Sequence, residues 1–94
     1  MVDVSLTSTA RISDDVVFRE LEGEAVLLNM QSGTYFGLDA MGTRIWQLIE
    51  RHGTLSAVRD ELVQEFDVEA DAATRDLLDL VGQLAARGLV EIEA

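Results

Sequence analysis

The hydrophobic positions change period near the middle of the chain. Before Asp39 they alternate in short runs, the mark of strands. After it they recur every three or four residues, the mark of amphipathic helices. Val16-Val17-Phe18-Arg19-Glu20-Leu21 reads as a strand. Glu22-Gly23 forms a tight turn, with Gly supplying positive φ, into a second strand from Glu24 to Met30. The loop Met30-Gln31-Ser32-Gly33 leads to a third strand, Thr34 to Leu38, and the three make an antiparallel meander with the third at an edge. Residues 1–12 alternate only weakly (Val2, Val4, Leu6) and read as a loose arm or an edge strand.

Asp39 is placed to cap the first helix, whose Met41, Ile45, Leu48 and Ile49 share a face with Trp46 beside them. Gly53 ends that helix. Leu55, Val58, Leu62, Val63 and Phe66 form the stripe of a second, and Asp67-Val68-Glu69-Ala70 links it to a third. The third helix has Asp71 as its expected cap, runs to Arg87 and stops at Gly88, with Leu89 to Ile92 as a final short strand. At about 100° per residue, Ala70, Ala73, Leu77, Leu80, Val81 and Leu84 make its core stripe. Thr74, Leu78, Gly82 and Ala85 lie beside that stripe, and either widen the core face or line a groove. The expected class is α+β and winged helix-turn-helix-like: a three-stranded antiparallel sheet followed by three helices. Residues 1–15 form an arm free to move, and residues 16–92 the domain.

Ninety-four residues suffice for one modest core. The longest apolar runs are about four residues, far short of a membrane span. No signal segment is evident at Met1-Val2-Asp3-Val4-Ser5, and the chain has no cysteine, so the expected setting is the cytoplasm. Charge changes the picture more. The net charge is −11, and all seven basic residues are Arg. An acidic chain with no basic patch is a poor binder of nucleic acid or anionic membrane, and suits a cationic peptide or a basic partner protein. The alternative is that the acidity only confers solubility. A third helix carrying Arg75 and Arg87 against Asp71, Asp76 and Asp79 would be repelled from the major groove despite its winged-helix setting.

Catalytic chemistry finds no foothold. His52 is the sole histidine and falls in the last turn of the first helix, where it complements the dipole. Without Cys or a second His it makes neither a metal centre nor a triad. The pairs Asp14-Asp15 and Asp76/Asp79 are ordinary solvated acids, and Gly33, Gly37 and Gly42 do not form a phosphate loop. No enzyme, no cofactor and no metal are expected. Strand addition remains: an edge at Thr34–Leu38 leaves alternate backbone groups free, and a neighbouring apolar helix can supply pockets, unless the N-terminal arm covers that edge.

The ordered set Glu22-Gly23-Glu24-Ala25-Val26-Leu27-Leu28-Asn29, Ser32-Gly33-Thr34-Tyr35-Phe36-Gly37-Leu38-Asp39 and Gly42-Thr43-Arg44-Ile45-Trp46 resembles the coenzyme PQQ synthesis protein D family. So do Leu62, Phe66-Asp67-Val68, Asp76-Leu77, Leu84 and Gly88-Leu89-Val90. Asn29-Met30-Gln31-Ser32-Gly33 and Trp46 depart from the PQQ branch and look more like the stand-alone recognition proteins of lasso-peptide clusters. The resemblance implies a non-catalytic module that binds the leader of a ribosomally made precursor and delivers it to a leader peptidase or other modifying enzyme. The alternatives are a PQQ-type peptide chaperone acting with a radical SAM enzyme, and an acidic winged-helix adaptor. It also implies that Thr34, Tyr35, Phe36, Gly37 and Leu38 pair with the leader, with Thr74, Leu78, Gly82 and Ala85 as pocket wall and Arg75 and Asp79 as flanking charges. Alternation requires that some of Tyr35, Phe36 and Leu38 face the core, to which Trp46 is also assigned.

Overall fold

A computed structural model describes residues 4–93. The order is β1 (Thr9–Ile12), β2 (Val16–Leu21), β3 (Glu24–Asn29), β4 (Thr34–Leu38), α1 (Ala40–His52), α2 (Leu55–Glu65), α3 (Ala70–Ala86) and β5 (Val90–Glu93). The expected antiparallel meander is present in the order β2-β3-β4. Its first turn uses two left-handed residues, Glu22 at φ 56° and Gly23 at φ 84°. This conformation matches the twist of adjoining strands and is unusual for Glu. At the second turn Gly33 takes φ 73° and donates to the Asn29 carbonyl at 2.8 Å.

Asp39 caps α1, its Oδ1 accepting from the Gly42 amide at 2.8 Å, and Gly53 closes the helix at φ 75° with its amide on the Ile49 carbonyl. Asp71 is not the cap of α3. The helix starts two residues earlier, at Ala70 with Glu69 in the capping position, and Asp71 sits in the first turn where its charge suits the dipole. After α3, Gly88 turns left-handed at φ 71° and lets the Leu89 amide return to the Leu84 carbonyl at 2.9 Å, burying Leu89 completely.

The core lies between the inner face of the meander and the three helices. β3 shows why: Ala25, Leu27 and Asn29 point inward and are buried, while Glu24 and Val26 point out. Trp46 is 1% exposed and stacks on Phe18 of β2, with centroids 6.4 Å apart. Leu48, Leu55, Leu62, Leu77 and Leu84 complete the centre. Of the expected α3 stripe, Ala73, Leu77, Val81 and Leu84 are buried, Leu80 is partly exposed and Ala70 is exposed.

The N-terminal segment belongs to this packing. β1 pairs antiparallel with β5, Thr9 opposite Glu93 and Ile12 opposite Val90, forming a second, two-stranded sheet. Ala10 is 3% exposed, and its amide donates to the Gly53 carbonyl at 2.8 Å. The amides of Leu55 and Ser56 donate to the carbonyls of Ser8 and Leu6, both at 3.1 Å. The packed unit thus begins before Val16, and what the pattern left between arm and edge strand is a strand from Thr9 to Ile12. Residues 1–3 lie outside the described part.

Candidate functional site

β4 pairs only with β3, from Ala25↔Leu38 to Asn29↔Thr34, so its other edge is unpaired among the described residues. The segment that could have covered that edge is engaged with β5 and the α1–α2 junction instead. Alternate amides and carbonyls of Thr34–Leu38 therefore point away from β3 with no strand to receive them.

Beside this edge runs a groove of about 640 Å³. Phe36, Gly37, Leu38 and Asp39 form one side, Met41, Gly42 and Ile45 of α1 the end, and Asp76, Asp79, Leu80 and Gln83 of α3 the other side. The alternation of β4 is now assigned. Leu38 is 5% exposed and Phe36 is half-buried, both inward; Tyr35 is 67% exposed and belongs to the outer face with Gly37. The Arg87 guanidinium lies 5.0 Å from the centre of the Phe36 ring, a cation–π contact where α3 ends.

The buried row Leu77, Val81 and Leu84 divides α3 into two flanks. At about 100° per residue, Asp76, Asp79, Leu80 and Gln83 fall on the flank toward β4. Thr74, Leu78 and Ala85 fall on the opposite flank. Thr74 Oγ1 accepts from Arg59 Nη1 of α2 at 3.4 Å, and Leu78 and Ala85 pack partly buried against the core. Gly82 has open space where a Cβ would stand, and Arg75 is exposed. Of the residues singled out in the sequence, the groove brings together Phe36, Gly37, Leu38 and Asp79. Thr74, Arg75, Leu78, Gly82 and Ala85 do not line it. Asp39, Met41, Gly42, Ile45, Asp76, Leu80 and Gln83 do, and of these Met41, Ile45 and Leu80 carried a signal, as members of the apolar helix stripes.

Asn29 holds the two sides of the groove in register. Its side chain is 7% exposed, and Nδ2 donates to the carbonyls of Arg87 and Gly88, both at 3.3 Å. Oδ1 accepts from the amides of Gln31 at 2.9 Å and Ser32 at 3.3 Å. One buried amide thereby ties the β3–β4 hairpin to the end of α3.

The groove is charged unevenly. Asp39, Asp76 and Asp79 line it, and neither Asp76 nor Asp79 has an ion-pair partner among the described residues. Other cations are engaged elsewhere. Arg44 grips Glu65 with Nε–Oε1 and Nη2–Oε2 both at 2.7 Å, which holds the Glu65 carboxyl below the usual carboxylate range. His52 Nε2 lies 2.8 Å from Glu61 Oε1 between α1 and α2, a structural use. No group of three or more potential metal ligands occurs among the described residues, and none of their helices is long and apolar enough to cross a membrane.

Fold and site define a small α+β domain with an open sheet edge set beside a helix. Residues 24–90 match the family described as coenzyme PQQ synthesis protein D. The chain belongs to that family. A solved structure of TbiB1 in complex with the TbiA(beta) leader peptide is similar over 86% of this chain and 94% of that one, with 43% identity and a TM-score of 0.81. A lasso peptide synthetase B1 complexed with the leader peptide is similar over 88% of this chain and 98% of that one, with 26% identity and a TM-score of 0.79. The resemblance drawn from the residues, to this family and to its lasso-peptide members, agrees with these findings. A comparison with curated proteins gives no match.

Proposed function

We propose that this protein binds the leader segment of a ribosomally made precursor peptide by strand addition to Thr34–Leu38. The bound strand would lie in the groove against Asp76, Asp79, Leu80 and Gln83. The observation that carries this reading is the unpaired β4 edge beside a groove with an apolar floor, a combination that offers main-chain bonds for affinity and pockets for selection. Two similar proteins, solved with leader peptides bound, support it.

The protein performs no chemistry of its own in this reading. It hands the leader to a partner leader peptidase or other modifying enzyme of a lasso-peptide pathway, raising the local concentration of substrate there. Leu80, which lines the groove where Leu78 does not, is taken as the pocket wall in this reading. Leader binding is measured by fluorescence anisotropy, with the TbiA(beta) leader as first probe and the precursor encoded nearest this gene as second. Micromolar or tighter binding is expected. Methylating alternate backbone amides of the leader should abolish binding at every second position only. Equal tolerance at all positions would exclude strand addition.

A further inference from the structure

The groove differs in charge from one end to the other. β4 and α3 run in opposite directions along it: Phe36 meets Arg87 at the end of α3, while Leu38 and Asp39 lie toward Asp76 and Asp79. One end therefore presents carboxylates free of ion pairs; past the other, outside the lining residues but over the Phe36 ring, stands a guanidinium that no carboxylate neutralises among the described residues. Four other arginines have acidic partners, Arg11 with Glu91, Arg44 with Glu65, Arg51 with Glu61 and Arg59 with Asp60. The separation of charge thus lies along the line that a docked strand would follow.

Helix geometry sets the scale. Asp79 on α3 and Arg87 at its C-cap are eight residues apart, roughly 12 Å at ~1.5 Å per residue. An extended strand covers that span in about four residues at ~3.3 Å each. Four is an even number, so both ends of the interval project from the same face of the strand, toward α3.

We propose that the groove selects a leader by a fixed order of charge: a Lys or Arg beside Asp76 and Asp79, and four residues away an Asp or Glu beside Arg87. This rests on the leader-docking reading and adds to it the sequence feature that the site would recognise. Two exposed charge pairs, each of modest strength, together with avoidance of two like-charge contacts, give about a tenfold preference for the right order over its transpose at low salt.

The test is selection of random twelve-residue peptides by display against the intact protein. A charge-swapped variant (Asp76→Lys, Asp79→Lys, Arg87→Glu) and an off-groove control (Asp14→Asn, Asp71→Asn) are run in parallel, each checked for folding by circular dichroism. The wild-type pool should carry a basic and an acidic residue four apart in one constant order. The swapped variant should select the reverse order, and the control the wild-type order. Transposing the two charges in a selected peptide should weaken it about tenfold, with the gap closing as salt rises. Binders without charge order, or the same order from the swapped variant, would overturn the charge rule while leaving strand docking in place. A pool without binders to the wild type would overturn both.

Discussion

Replacing Asn29 tests whether one buried amide sets the geometry of the docking edge. Asn29→Ala removes four hydrogen bonds, two to the carbonyls of Arg87 and Gly88 and two from the amides of Gln31 and Ser32. Gln31 and Ser32 are exposed, so water can replace that half, at a cost near the lower limit for a hydrogen bond. The carbonyls at the end of α3 lose a donor packed against them. With about 0.5–1 kcal/mol for each bond, the variant should lose ~2–3 kcal/mol of stability. In a domain of this size that corresponds to a fall in Tm of roughly 10–20 °C. Urea unfolding followed by the fluorescence of buried Trp46 measures it directly. Asn29→Asp separates the two halves: its carboxylate still accepts from the loop but cannot donate to the carbonyls. Burial facing two carbonyl oxygens would raise the folded pKa of that new carboxyl. The variant should therefore lie closest to wild type in acid and fall further behind as pH rises through the raised value. A loss below ~0.5 kcal/mol for Asn29→Ala, or an Asn29→Asp penalty independent of pH, would refute the reasoning.

Other outcomes follow from the same geometry. Leu80 and Leu78 both pack partly buried against the core. Leu80→Asp and Leu78→Asp should therefore each lower stability by about 2 kcal/mol in urea titration, but only Leu80→Asp should weaken leader binding by the folded fraction, at least tenfold by anisotropy. Amides on the free side of β4 should exchange rapidly without ligand and slow on adding leader; slow exchange without ligand would show the edge already covered. Glu65, its pKa lowered by Arg44, contributes stability above its unfolded pKa that is lost as pH falls through the folded one. Glu65→Gln should accordingly cost under ~1 kcal/mol at neutral pH and nothing in strong acid, as read from urea midpoints across pH.

The parts of the fold written in local chemistry could be read from the chain. Asp39 and Gly53 bound α1 because a carboxylate and a left-handed glycine act on their own neighbours. The alternation in β3 set its buried face without reference to the rest of the molecule. β1 had no such signal: Thr9-Ala10-Arg11-Ile12 becomes a strand only through β5, eighty residues away along the chain. For α3 the periodicity located the buried row but not the side on which the sheet would stand. Leu78 and Leu80 flank that row symmetrically, and their roles are assigned by how α3 crosses β4, a tertiary property. The same limit applied to the groove, seven of whose eleven lining residues come from α1 and the β4-facing flank of α3.

The pairing of β1 with β5 makes the order of elements separable from their arrangement. Thr9 and Glu93 stand opposite each other, so the start of β1 and the end of β5 are about 5 Å apart, one strand spacing. A few Gly and Ser residues would close that gap into a ring. Cutting the ring at the exposed link Asp67–Glu69 would give a circular permutant that begins with α3 and ends with α2. In that permutant β4 and the groove-facing flank of α3 would keep their neighbours while the loops around them changed place.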